Sequence, residues 1–432
     1  MTFEQFVAVA VMLAVVGALV HGRARPDLVA LAGAAVLLAT GTLRPSEVQS
    51  AFASPALIAL ASLFVIASAI ERSGLLSLLI RKAAAFSLRV GKIGLWQLIA
   101  LSGVASAFLN NTPLVLLGAP VGRDVALKLE LDPKRFLIPL SYVAILGGGT
   151  TLIGTSTNLL VNDMARNAGQ PSFSLFEITP AALPVAIVGA LTILLIGGPL
   201  LKGRDAPERP DGDRTPPTGD ALLGEPELFR PERPLDVVKA VQAAGVFAGV
   251  ICVAAFGILP IAAAAFGGAV LLVVLRTISI DEAYRGLNPE VLFLIAGMVV
   301  VGLALEVTGL AEAASELLVT TLAPLGPLAA FAVLYGATLL LTEVLSNAAV
   351  AVLITPVAVA IAESLGVSPR PFLVAVMLAA SAAFATPFGY QTNVLVFRMG
   401  RYRYMDFVRV GTPLNLVTWA AAVVFVPQVF PF

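Results

Sequence analysis

The chain has 432 residues, of which 58% are hydrophobic and 12% charged. A soluble domain carries roughly 25% charged residues, so this composition excludes a globule of such length coated by its own polar side chains. Net charge is zero, with 27 basic and 27 acidic residues, which gives no general attraction to nucleic acid or other polyanions.

In chain order, apolar runs of the roughly 20 residues needed to cross a hydrocarbon core occupy 3–20, 27–43, 55–71, 178–201, 237–256, 258–275, 289–308 and 410–430. They predict an all-α polytopic membrane protein embedded in the lipid bilayer. The first run carries Glu4 and has no Lys or Arg ahead of it, so it reads as a span rather than a signal peptide. His21 follows beside Arg23 and Arg25 and reads as a solvated residue. Residues 203–234 hold 7 prolines and 13 charged residues without an apolar period; this predicts a solvated linker too short to hold a folded domain. The division is therefore 1–201, a linker at 202–236, and 237–432. Cys252, the single cysteine, lies in an apolar run, which excludes an intramolecular disulfide and a cysteine metal cluster.

The two long segments repeat each other at an offset of 234 to 236. Residues 54–75 answer 288–310, with Pro55 matching Pro289, Glu71 matching Glu306 and Gly74 matching Gly309. LNNTPLVLLGAP (109–120) answers LSNAAVAVLITP (345–356), so Asn111 matches Asn347 and Pro120 matches Pro356. TTLIGTSTNLLV (150–161) answers ATPFGYQTNVLV (385–396), so Gly154 matches Gly389, Thr157 matches Thr392 and Asn158 matches Asn393. Chance similarity between apolar helices does not match polar residues in order, so the halves read as a duplication.

Each half reads as five crossings together with a hairpin around its Asn motif. If the hairpins are re-entrant, an odd number of crossings makes the halves two inverted-topology repeats, a construction common in secondary transporters. Lys and Arg concentrate in cytoplasmic loops. With both termini outside and the central linker cytoplasmic, only Arg44, Arg166 and Arg370 fall on the outer side and the other 24 of 27 basic residues fall inside, at 23–25, 72–92, 123–135, 202–239, 276–285 and 398–409. The expected location is the plasma (inner) membrane, with the first hairpin opening to the cytoplasm and the second to the outside.

Non-helical backbone inside a bilayer is tolerated only where it is buried in protein or lines a wet cavity. Four stretches have that character: hairpin tips at Asn110-Asn111-Thr112-Pro113 and Ser346-Asn347-Ala348, and interruptions at Gly154-Thr155-Ser156-Thr157-Asn158 and Gly389-Tyr390-Gln391-Thr392-Asn393 within long helices 137–165 and 372–397. Thr112 before Pro113 reads as an N-cap followed by proline at the first helical position. Each break makes a new helix N-terminus, with free N–H donors and about half a positive charge, so four of them converging form an anion site without Lys or Arg. Hydroxyls at Ser106 and Thr342, each five residues before its Asn, complete oxygen cages of a kind that suits Na⁺. Small polar residues also serve helix packing, an alternative that pairing across the repeat disfavours. Glu343, whose counterpart is Ala107, is either a proton carrier or a hydrogen-bond partner of a neighbouring helix. Glu71 and Glu306 stand at matching helix ends and read as interfacial.

These residues resemble the divalent anion:sodium symporter family, within the ion transporter superfamily that also holds citrate and arsenite carriers, and the resemblance covers nearly the whole chain. Members carry a Ser-Asn-Thr motif at each hairpin tip and a Gly-Thr-x-x-Asn-like break in the next helix. Here the tips read Asn110-Asn111-Thr112 and Ser346-Asn347-Ala348, with Asn110 in place of Ser and Ala348 in place of Thr. The resemblance implies substrate contacts at Asn110, Asn111, Thr112, Thr157, Ser346, Asn347, Ala348 and Thr392. It implies one Na⁺ held by Ser106, Asn110, Asn111 and Gly154 and another by Thr342, Asn347 and Gly389. It further implies a homodimer with elevator-like movement, residues 95–165 and 326–397 moving against a scaffold that includes 3–71 and 237–308. Regulatory domains that many bacterial members insert centrally find no room in this linker.

The reading is a secondary active transporter of a small anion, such as sulfate or a di- or tricarboxylate, coupled to Na⁺, with no organic cofactor and no nucleic-acid partner. The alternative is proton-coupled anion transport or arsenite-type efflux, with Glu343 titrating. An intramembrane enzyme lacks support, since no metal-ligand cluster and no nucleophile with a suitably spaced base occurs in the sequence. A channel is distinguished by single-channel currents far above carrier turnover.

Overall fold

The structure, a computed structural model, describes residues 2–21, 24–197, 200–201, 234–310 and 326–432. All regular secondary structure among these residues is helical. The predicted linker at 202–236 lies almost wholly outside the described residues, as does the stretch 311–325.

The first half contains α1 (Phe3–His21), α2 (Pro26–Ala39), α3 (Pro45–Phe52), α4 (Pro55–Arg72), α5 (Leu75–Val90), α6 (Lys92–Ser106), α7 (Asn111–Lys128), α8 (Lys134–Gly148), α9 (Ser156–Asn167) and α10 (Thr179–Thr192), the last running into a π turn at Ile193–Gly197. The second half contains α11 (Val237–Ala255), α12 (Ile261–Val274), α13 (Ile280–Gly286), α14 (Pro289–Val307), α15 (Pro327–Thr342), α16 (Asn347–Ser364), α17 (Pro369–Ser381), α18 (Gln391–Met399) and α19 (Tyr404–Val429). Six stretches among the described residues are long and apolar enough to cross a membrane: Pro45–Arg72, Thr179–Gly197, Val237–Ala255, Pro289–Val307, Asn347–Ser364 and Tyr404–Val429.

Proline opens α2, α3, α4, α14, α15 and α17. Its fixed φ suits the first helical position, where a missing N–H costs nothing. Matching helices start alike: Ser54 Oγ accepts from Leu57 N at 3.2 Å ahead of α4, and Asn288 Oδ1 accepts from Val291 N at 3.3 Å ahead of α14.

Two expected spans are shorter than the apolar runs. Helices α2 and α12 have 14 residues each, about 21 Å at 1.5 Å per residue. Gly41, at φ +74°, turns the chain after α2, while Gly257, at φ +67°, and Pro260 delay the start of α12. The short helices α3 and α13 were not anticipated. They occupy the links to α4 and α14, and α13 is fixed by a capping box between Ser279 and Glu282. Hydrogen bonding from the Ser279 backbone, with Arg72 close by, holds Glu282 below the usual carboxylate range; Arg72 Nη1 lies 2.9 Å from its Oε1.

The halves interlock. Helix α2 packs along α14 and α12 along α4, so the second helix of each half lies on a long helix of the other; likewise α9 packs on α16 and α18 on α7. Within each half the arm leading to the hairpin tip lies on the broken helix, α6 on α8 and α15 on α17. The first of these contacts is backbone on backbone: a Cβ on Gly147 would collide with the carbonyl of Gly103. The second break is pressed onto α19 in the same way, Gly411 leaving space for the Phe384 carbonyl.

Candidate functional site

Helix α6 ends at Ser106, the chain turns through 107–110, and α7 begins at Asn111. The N-cap is Asn110, in extended backbone at φ −57° and ψ 136°, with its side chain accepting from Thr112 N at 3.2 Å. The expected cap at Thr112 is therefore corrected: Thr112 is already helical, and its hydroxyl is free to donate to Gln391 Oε1 at 3.1 Å. The second tip turns through 343–346, and Ser346 Oγ accepts from Ala349 N at 3.3 Å.

The helix interruptions lie at 149–155 and 382–390, upstream of where the motifs place them. Ser156, Thr157 and Asn158, with Gln391, Thr392 and Asn393, belong to the first turns of α9 and α18. The asparagines brace the breaks from inside those turns. Asn158 Nδ2 donates to Thr151 O at 2.8 Å, and Asn393 Nδ2 donates to Ala383 O at 2.8 Å while its Oδ1 accepts from Ser141 Oγ at 2.7 Å. Carbonyls that the broken helix leaves orphaned are thus paired.

All four new N-termini open on one cavity of about 1150 Å³. Of the expected substrate residues, Asn110, Thr112, Thr157, Ser346, Asn347 and Ala348 line it, joined by Gly389 and Glu343. Thr392 is corrected: it is buried away from the cavity, its hydroxyl in a hydrogen bond with Ser141 Oγ at 2.8 Å. The physical reason is the helix turn, which points this side chain back onto α8. Away from the tips the cavity is lined by Glu71, Arg72, Arg81, Asp124, Arg285 and Glu290.

Ser106, Asn111, Gly154 and Thr342 sit behind the cavity wall. Ser106 Oγ donates to Asn111 Oδ1. A Cβ at Gly154 would strike the carbonyls of Gly148 and Ala107, and one at Gly148 would come 2.7 Å from Asn111 Oδ1, so these oxygens draw together only because glycine stands at both positions. In the second half the Asn347 amide stands with its nitrogen 2.9 Å from Thr342 Oγ1 and 3.2 Å from the carbonyls of both Ala380 and Gly389. Thr342 Oγ1 in turn donates to Ala380 O at 2.6 Å. Each half therefore gathers a hydroxyl, an Asn amide and backbone carbonyls at the base of its tip. Glu343 Oε1 accepts from Ala385 N and Asn415 Nδ2, each at 2.7 Å, while Oε2 is buried without a hydrogen-bond partner among the described residues. The bond to a neighbouring helix is accordingly present.

Sequence reading missed Tyr390, Gln391 and Asn415 as site residues. The signal for the first two was available in the repeat, where they replace Thr155 and Ser156 by much larger polar side chains. Asn415 belongs to no motif and is brought in by α19.

A family profile described as citrate transporter matches residues 11–366. An uncharacterized transporter of Synechocystis is 25% identical over 572 residues, covering 94% of this chain and 94% of that protein. Because that alignment is longer than the chain, the relative carries segments absent here. Sodium/sulfate cotransporter 1 of Chlamydomonas reinhardtii is 41% identical over 110 residues, 24% of this chain and 12% of that protein. Among solved structures, the YdaH transporter of Alcanivorax borkumensis superposes with a TM-score of 0.66 at 13% identity, covering 94% of this chain and 98% of that one, a likeness of fold.

Proposed function

The chain belongs to the citrate transporter family, and we propose that it is a secondary active carrier of a small oxyanion, of the sulfate type, driven by Na⁺. It is a multi-pass membrane transporter and not an enzyme. The observation that carries the proposal is the meeting of four helix N-termini, two from each half, on a single cavity whose tips bear no Lys or Arg. Free N–H groups and the helix dipoles supply the attraction for an anion at that place. Sulfate is favoured over a dicarboxylate because Ala348 offers no hydroxyl where Thr112 does in the other half, and because the Chlamydomonas relative is named for sodium and sulfate.

Na⁺ is proposed at the two oxygen clusters, Ser106, Asn110, Asn111 and Gly154 holding one ion and Thr342, Asn347 and Gly389 the other. Turning the Asn347 amide presents either its nitrogen to the surrounding oxygens or its Oδ1 to a cation beside them. Ordering of a tip by Na⁺ raises affinity for the anion, and the coupling is reciprocal. The halves, 1–201 and 237–432, are proposed to be inverted repeats joined by the cytoplasmic linker 202–236, in the plasma (inner) membrane with both termini outside. On that topology the Arg72, Arg81 and Arg285 side of the cavity faces the cytoplasm, which supports reading it as inward-open; an elevator-type movement and a homodimer are part of the same proposal.

A second reading, proton coupling through Glu343, is favoured by the unpartnered Oε2 beside the cavity. Uptake of radiolabelled sulfate into proteoliposomes, with Na⁺ and pH gradients imposed separately, decides between them. Stimulation by inward Na⁺ at equal pH is expected. Stimulation by a proton gradient alone, with none by Na⁺, rejects Na⁺ coupling in favour of the second reading.

A further inference from the structure

Two adjacent residues of the second break touch the repeat asparagines of both tips. The Gly389 carbonyl lies 3.2 Å from the Asn347 amide nitrogen, and the Tyr390 hydroxyl accepts from Asn111 Nδ2 at 2.7 Å. Nothing in the first break reciprocates: the residue matching Tyr390 is Thr155, whose short side chain caps its own helix by accepting from Thr157 N at 3.4 Å. The asymmetry arises from a side chain long enough to reach the asparagine of the other half's tip.

Asn111 is an amide with two ends. Ser106 Oγ–H bonds its Oδ1 and Tyr390 receives from its Nδ2. With both ends engaged, the oxygen is held toward the Ser106, Gly148 and Gly154 side, where the carbonyls gather. Without the tyrosine hydroxyl the amide loses the bond that holds its nitrogen, and the side chain is free to turn. A cation site needs the oxygen presented.

Resting on the Na⁺ reading above, we propose that Tyr390 is a positioning residue that fixes the Asn111 amide for the first cation and, through its neighbour Gly389, links the two cation sites. Occupancy of the second site orders the Gly389 carbonyl, which fixes the start of the Tyr390 side chain, which in turn sets the Asn111 amide. The coupling runs through two covalently joined residues and two hydrogen bonds, a contiguous route between the sites.

Tyr390→Phe removes the hydroxyl and keeps the ring, so packing is retained. In proteoliposomes, initial sulfate uptake measured against Na⁺ should show the half-saturating Na⁺ concentration raised about three- to tenfold, as expected for loss of one net hydrogen bond, and the Hill coefficient for Na⁺ lowered toward one. The rise should exceed any change in the sulfate KM at saturating Na⁺. Melting of the purified protein in NaCl against choline chloride gives the same midpoint without transport, and melting without Na⁺ reports whether the variant is folded. A variant with wild-type Na⁺ midpoint and Hill coefficient overturns the inference and leaves Na⁺ coupling intact. Wild-type protein insensitive to Na⁺ in both assays removes the Na⁺ reading and this inference with it.

Discussion

At the scale of single residues, the asparagines divide into two kinds. Asn158 and Asn393 are fully buried and spend their amides on the carbonyls of their own breaks; Asn111 and Asn347 stand at the first positions of helices α7 and α16 with their amides among clustered oxygens. Asn111→Ala and Asn347→Ala are each expected to abolish Na⁺-dependent sulfate uptake while the protein still inserts and elutes as before on size exclusion. Normal uptake by either variant removes the assignment. The sequence marked both residues through the repeat, because an amide on a matched apolar helix is conspicuous. It misjudged Thr112 and Thr392, since the residue that caps a helix and the direction a hydroxyl takes depend on φ, ψ and helical phase.

At the scale of elements, the tips are held in place by close helix crossings rather than by ion pairs. Helix α6 reaches the first break because Gly103 and Gly147 let the backbones of α6 and α8 touch. Gly147→Ala adds one methyl where no space exists and is expected to cost about 1–3 kcal/mol, the usual penalty of overpacking, and to lower the melting temperature; an unchanged melting curve contradicts this crossing. Gly245→Ala, whose Cβ would meet nothing within 4 Å, is the control. Helix existence followed from apolar runs and proline starts, whereas the ends of α2 and α12 were set by turns at Gly41 and Gly257 that an unbroken apolar run conceals.

At the scale of the whole molecule, the proposed inversion places matching loops on opposite sides of the membrane. Lys128 ends α7 and Ser364 ends α16, both exposed and nearly equivalent in the repeat. In a Cys252→Ser background, an impermeant maleimide applied to intact cells is expected to label Ser364→Cys and to spare Lys128→Cys until the cells are opened. Labelling of both from outside, or of neither, contradicts inverted repeats. The interlocked packing of α2 on α14 and α12 on α4 also makes separate folding of either half unfavourable, because each would expose the face that the other covers.

The sequence by itself determined the lipid environment and the helical class and marked the pair of asparagines, because these follow from composition, from run length against bilayer thickness, and from polar residues recurring at a nearly constant offset. Tertiary structure alone decided which groups share the cavity, which lie behind its wall, and that Tyr390 reaches from one half into the other. Those outcomes depend on distances between residues some 280 positions apart, such as the 279 that separate Asn111 from Tyr390, and no local pattern encodes how two such segments meet when their helices close on one another.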